Sequence, residues 1–216
     1  TLASIVTGNH QSAAVFEKYN LDFCCRGKRS LQEACRENKI NPASVLLDLE
    51  KIYASKDTRG DDFSAMSLQD LSTHIVSTHH QYVKREMPVI LAYLQKVSSK
   101  HGERHPELLK ITALFAAVCE EMEMHMMKEE KILFPRIDEV EKMHRESGSI
   151  PISSTFIGAP VSIMEQEHDH AGSMLQEMRE LTNDYNAPAD ACTTYKLCYA
   201  ALQAFEQDLH RHVHLE

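Results

Sequence analysis

The sequence predicts an all-α protein, a four-helix bundle preceded by a small helical module, and three observations carry that prediction. Apolar residues recur at three-and-four spacing almost throughout, and no run of four to eight residues alternates cleanly enough for a strand. Seven glycines, seven prolines, ten methionines and no tryptophan suit helices better than sheets. The polar stretch KDTRGDDFSAM separates short helical segments from long ones, which places the module at residues 1–58 and the bundle at 67–216.

In the module, SAAVFEKYN is a short helix that ends before the cysteine-bearing LDFCCRGKR. Ser30 and Glu33 have capping-box spacing and start a helix through LQEACRENK. Asn41 and Pro42 stop it and begin the next, NPASVLLDLEKIYAS, with Asn41 as N-cap and Pro42 in the first turn. Beyond the linker, long helices are expected near 68–99, 107–140, 160–184 and 190–216. Pro88 should kink the first of them, and HRESGSIPISSTFIGAP has the Gly, Ser and Pro content of a loop.

A net charge of −9 and the lack of a sustained Lys/Arg block argue against nucleic-acid or anionic-membrane partners. The longest apolar run, Ile111 to Cys119, is far short of a membrane span, and the expectation is a cytoplasmic protein whose six cysteines are reduced. Small molecules or proteins remain as partners, and an isologous homodimer would fit.

The inward seams carry the chemistry. One runs Ile111, Phe115, Val118, Met122, His125, Glu129, Ile132, and another runs Tyr195, Cys198, Leu202, Phe205, Leu209, His212, Glu216. Each turns polar at the same level, with glutamate four residues after histidine. The remaining seams, Val76, His80, Val83, Met87, Ile90, Leu94 and Val161, Met164, His168, Ala171, Leu175, Met178, each contribute one inward histidine. Burying these six polar groups without partners would be costly. Six donors are too many for one tetrahedral zinc and suit two metal ions, with glutamates bridging and histidines terminal. Iron is the first choice, in a carboxylate-bridged pair with an oxo or hydroxo bridge; manganese also fits the ligand types.

HMMKEEKILFP, HDHAG after MEQE, the terminal HVHLE and the upstream DFCCRGK resemble the hemerythrin-like di-iron proteins of the repair-of-iron-centres family. The resemblance spans nearly the whole chain, with LDFCCRGKRSL resembling the family's cysteine-containing N-terminal domain. It implies a hemerythrin-like bundle in which His80, His125, His168 and His212 are terminal ligands and Glu129 and Glu216 bridge, the same six that the seams select. It also implies a Phe-Pro turn after Glu216 like Leu133-Phe134-Pro135.

The implied role is repair of iron–sulfur clusters damaged by oxidative or nitrosative stress, with damaged cluster proteins as partners and supply of iron as the favoured route. Reduction of nitric oxide to nitrous oxide at the two irons is the enzymatic alternative, and sensing or storage of oxygen or nitric oxide a third. Glu121, one turn before His125, and Glu167, beside His168, are candidates to orient a ligand or line a path. Met126 and Met127 read as packing, and His79, His170, His210 and His214 as surface residues or as supports behind the ligands. Cys24 and Cys25, beside Arg26, Lys28 and Arg29, are candidate reactive thiols; Cys35, Cys119 and Cys198 read as core thiols.

Overall fold

Ser30 and Glu33 close the expected capping box, the Ser30 hydroxyl accepting from the Glu33 amide at 3.2 Å and the Glu33 carboxylate accepting from the Ser30 amide at 2.9 Å. In this computed structural model, which describes residues 1–24, 26–54, 63–147 and 155–216, that box opens α3 (Leu31–Glu37). It follows α1 (Leu2–Gly8) and α2 (Ser12–Lys18) and precedes α4 (Pro42–Ala54), where Asn41 Oδ1 accepts from the Ala43 amide at 3.0 Å. Helix α1 was not legible as apolar spacing; its own capping box, Thr1 with Ser4, sets it.

The four helices bury Leu2, Val6, Phe16, Leu21, Phe23 and Ala34 among other apolar groups in a core of their own. Asp48 of α4 ties it to α2, accepting from Lys18 Nζ at 2.6 Å and from the Tyr19 hydroxyl at 2.9 Å. The cysteine loop hangs on α1, whose first amides donate to Arg29 and Gly27 carbonyls at 3.0 Å each. Only glycine suits position 27, because a Cβ there would meet the Phe23 carbonyl oxygen at 1.9 Å.

The chain separates into two compact units, Thr1–Ser67 together with His210–Glu216, and Leu68–Leu209. In the second, four helical rods succeed one another, and no strand occurs among the described residues. The first rod is α5 (Leu68–Ile75), a π-helical turn (Val76–His80) and α6 (Gln81–His101). The next is α7 (Glu107–Lys128), a π-helical turn (Glu129–Leu133) and α8 (Phe134–Ser147). Then come α9 (Thr155–Leu181) and α10 (Thr193–Leu215). Helix α7 packs on α6 and α9, and Phe115 meets Phe205 of α10 with ring centroids 5.2 Å apart.

A π turn holds one residue more than an α turn and so rotates the helix beyond it. Ile132, expected on the seam, is therefore 44% exposed, and Leu133 takes the core position at 6%. Val161 is likewise exposed at 36%, and Met127 lies at the surface while its neighbour Met126 is fully buried.

The expected loop at 144–160 is shorter than its composition suggests. Helix α8 runs to Ser147 and α9 begins at Thr155; the residues between lie outside the described ones. Pro160 falls within α9 and lacks the amide that would serve the Phe156 carbonyl. Arg136 supplies that donor, its Nη1 2.8 Å from Phe156 O, and its guanidinium lies 5.0 Å from the Phe156 ring. Past α9, Asn183, Asp184 and Tyr185 all have positive φ, and Arg179 forks onto the buried Glu206 carboxylate at 2.7 and 3.2 Å.

Candidate metal centre

Glu129 opens the π turn of the second rod and is fully buried, with both carboxylate oxygens enclosed and neither accepting a hydrogen bond from a described residue. The two oxygens face different histidines. Oε2 lies 3.3 Å from Nε2 of His80, which closes the other π turn, and Oε1 lies 3.3 Å from Nε2 of His125. His168 of α9 brings its Nε2 to 2.9 Å from Nε2 of His125. Within the bundle unit, one carboxylate thus stands between a His80 side and a His125–His168 side.

The outward nitrogens fix which way the inner ones point. His80 Nδ1 donates to Glu130 at 2.8 Å, and His125 Nδ1 donates to Glu167 at 2.9 Å. Each ring then carries its proton on Nδ1 and presents the Nε2 lone pair inward, as a metal ligand requires. Lysines complete both pairs: Lys84 Nζ reaches Glu130 at 2.7 Å and Lys128 reaches Glu167. Burial opposes the charge on Glu130 and Glu167, yet the lysine and histidine beside each hold its carboxyl below the ordinary glutamate value.

On α10, His212 is fully buried and its Nε2 is in contact with Glu216, whose side chain is 4% exposed. The histidine–glutamate spacing of four residues thus closes into a contact on α10 as it does at His125 and Glu129. Glu129 with His80, His125 and His168 in the bundle unit, and His212 with Glu216 on α10, are donors of the types that suit cations of borderline hardness. The residues present fit a metal pair, because no described residue donates a hydrogen bond to either buried oxygen of Glu129.

Residues 71–216 match the hemerythrin HHE cation binding domain, and residues 1–53 match ScdA_N, a domain of unknown function. The chain is 33% identical over 206 residues to the iron-sulfur cluster repair protein YtfE of Dickeya chrysanthemi, covering 95% of this chain and 87% of that protein. It is 31% identical over 215 residues to the iron-sulfur cluster repair protein ScdA of Staphylococcus haemolyticus, covering 100% and 93%. The chain belongs to the iron–sulfur cluster repair family. The histidines and glutamates described above fall within the residues that match the HHE domain. No helix among the described residues is long and apolar enough to cross a membrane.

Around this family's donor set the structure rearranges several expectations. Glu167 does contact a histidine that faces Glu129, although it is His125 rather than its chain neighbour His168. Glu130, which the seams passed over, is its counterpart; the signal was the doubled glutamate in HMMKEEK, whose second member comes to lie against the first rod. Glu121 instead pairs with the exposed His170 at 2.8 Å. His79 and His210 are buried rather than at the surface, His79 because Nδ1 meets Asp208 at 3.0 Å. Cys35 and Cys198 are core thiols, and burial pushes Cys198 up to about 12; Cys119 is half-buried and pushed up to about 11.

In the cysteine loop, the charged side chains are tied to one another. Arg29 and Arg26 converge on Glu37 at 2.5 and 3.8 Å, and the Cys24 thiol donates to Asp22 at 3.3 Å. The Cys24 thiol thus has a carboxylate as a hydrogen-bond partner. Cys25 lies outside the described residues.

Proposed function

We propose that this protein repairs damaged iron–sulfur clusters by supplying iron held as two ions by His80, His125, Glu129, His168, His212 and Glu216. The observation that carries the reading is Glu129, whose two buried oxygens face separate histidines at 3.3 Å each. A carboxylate so placed would serve a cation with each oxygen. His125 and His168 serve one side, His80 the other, and the His212–Glu216 pair of α10 completes the set. Ferrous ions bound there supply exchangeable, redox-active Lewis-acid centres.

The surroundings suit ions that are delivered rather than kept. Glu167 touches His125 on one side and on the other lines an open groove of about 460 Å³ between α7 and α9, together with Glu120, Glu121 and His170. Lys128, paired with Glu167, also lines the groove, whose donors for a departing cation are Glu120, Glu121 and His170. The relatives' names, which describe iron–sulfur cluster repair, agree with this use.

The test is isotope transfer. The protein is loaded anaerobically with labelled iron, mixed with a nitric-oxide-damaged cluster enzyme, and label is measured in the re-formed cluster. Label in the client together with recovered activity is expected. An unlabelled client beside a protein that retains two irons per chain overturns donation and turns attention to nitric oxide chemistry at the same ligands.

A further inference from the structure

A second group of metal-ligating side chains lies apart from the six residues above. Asp22 and Cys24 of the cysteine loop and His210 of α10 each offer a donor atom, and the three atoms lie within 4.8 Å of one another. All three belong to the same compact unit. We infer that Asp22, Cys24 and His210 form a mononuclear site for a borderline divalent cation, ferrous iron in transit or zinc.

The spacing of the two loop donors fits a small ion. With bonds of about 2.0–2.3 Å, tetrahedral donors sit roughly 3.3–3.8 Å apart, and the Cys24 Sγ to Asp22 Oδ1 distance is 3.3 Å. One thiolate, one imidazole and one carboxylate form a mixed set matched to zinc or ferrous iron rather than to magnesium or calcium. Three protein ligands leave a fourth position open, the arrangement of sites that exchange ligands rather than of closed structural ones.

The scaffold holds the donors in place. His210 is buried at 6%, and Phe23, fully buried between Asp22 and Cys24 in sequence, sets its ring edge-on to His210 at 6.0 Å. Arg211, next to His210, grips Glu17 of α2 through two hydrogen bonds of 2.8 and 2.7 Å. Gly27 pins the other side of the loop, its amide donating to the Cys24 carbonyl at 3.0 Å. Asp22 and Cys24 are only half-buried, so the donors have a buried histidine behind them and a solvent-reachable front.

His210 lies two residues before His212, so the two imidazoles leave α10 about 200° apart with a rise of about 3 Å. One helical turn thus carries a donor for each site. As a waystation for iron, the site rests on the donation reading above; as a cation site it stands on its own geometry.

The experiment uses full-length, di-iron-loaded protein titrated anaerobically with cobalt(II). One further equivalent with thiolate-to-cobalt charge-transfer absorption is expected, with iron retained. Cys24→Ser should abolish the band, His210→Ala should weaken cobalt binding at least tenfold, and Cys192→Ser should change neither. A missing band, or one that survives Cys24→Ser, overturns the site. Labelled-iron transfer then tests the waystation: Cys24→Ser with its two irons intact should slow transfer at least tenfold, and an unchanged rate overturns that role. If the unaltered protein transfers no label while the cobalt band follows Cys24 and His210, the donation reading fails and the cation site holds.

Discussion

Glu130 accepts a hydrogen bond from Nδ1 of His80 at 2.8 Å, one residue beyond the carboxylate that faces Nε2 of the same ring at 3.3 Å. Consecutive glutamates thereby take the two nitrogens of one imidazole, one as a partner for metal binding and one as the group that aims it. Removing the aiming carboxylate should loosen iron without abolishing it. Glu130→Gln, and Glu167→Gln for His125, should each weaken iron affinity about 10–100-fold. Competition with a chelator reads this directly; affinity unchanged in both variants would contradict the assignment.

Glu129 sets stability against binding. Its buried oxygens lack hydrogen bonds among the described residues, so the metal-free protein carries a desolvated carboxylate that costs several kcal/mol. Glu129→Gln should melt above the unaltered protein when both are metal-free, and should fail to hold two irons. Adding iron should raise the melting temperature of the unaltered protein strongly and that of the variant little. A metal-free variant that melts lower would show that this carboxylate is already satisfied.

Arg179 and Glu206 form a buried fork at 2.7 and 3.2 Å that joins α9 to α10. Arg179→Ala removes the cation that balances the buried carboxylate and should cost about 3–5 kcal/mol. Arg179→Met with Glu206→Leu should recover most of that loss. Denaturant melts of the three proteins would decide it, and a double variant no better than Arg179→Ala would sink the account.

Asp48 is held far below the ordinary aspartate value, first by Lys18, then by Lys51 and Tyr19. A folded-state value lower than the unfolded one makes its contribution complete above about pH 4 and lost as pH falls further through the folded value. Asp48→Asn should therefore flatten the acid limb of N-terminal unfolding while lowering stability at neutral pH. Tyrosine fluorescence against pH would show it, and an acid limb as steep as in the unaltered protein would count against the linkage.

Much of the centre was legible because burying His125, Glu129 and His212 on apolar seams leaves a pattern in the sequence that surface placement does not. The capping residues Ser30 and Asn41 were legible for a similar reason, since their hydrogen bonds are local. What escaped depends on long-range contact. Ile132 moves out and Leu133 in because a π turn intervenes, and no residue type announces one. The start of α9 was hidden because Pro160 reads as a breaker until Arg136 answers the carbonyl it leaves unserved. For His79 and His210 the choice between surface and interior stayed open because their partners, Asp208 and the loop around Phe23, lie far away in sequence.

The two π turns bear on descent as well as on chemistry. A π turn is what remains when a single residue is inserted into an α-helix and the helix heals around it. His80 and Glu129 both stand in such scars, one in each of the first two rods. Any ancestor lacking the insertions would have turned these side chains by about 100° relative to the residues on the far side. A one-residue deletion at Lys131 should therefore heal the helix and displace Glu129 relative to the residues beyond it.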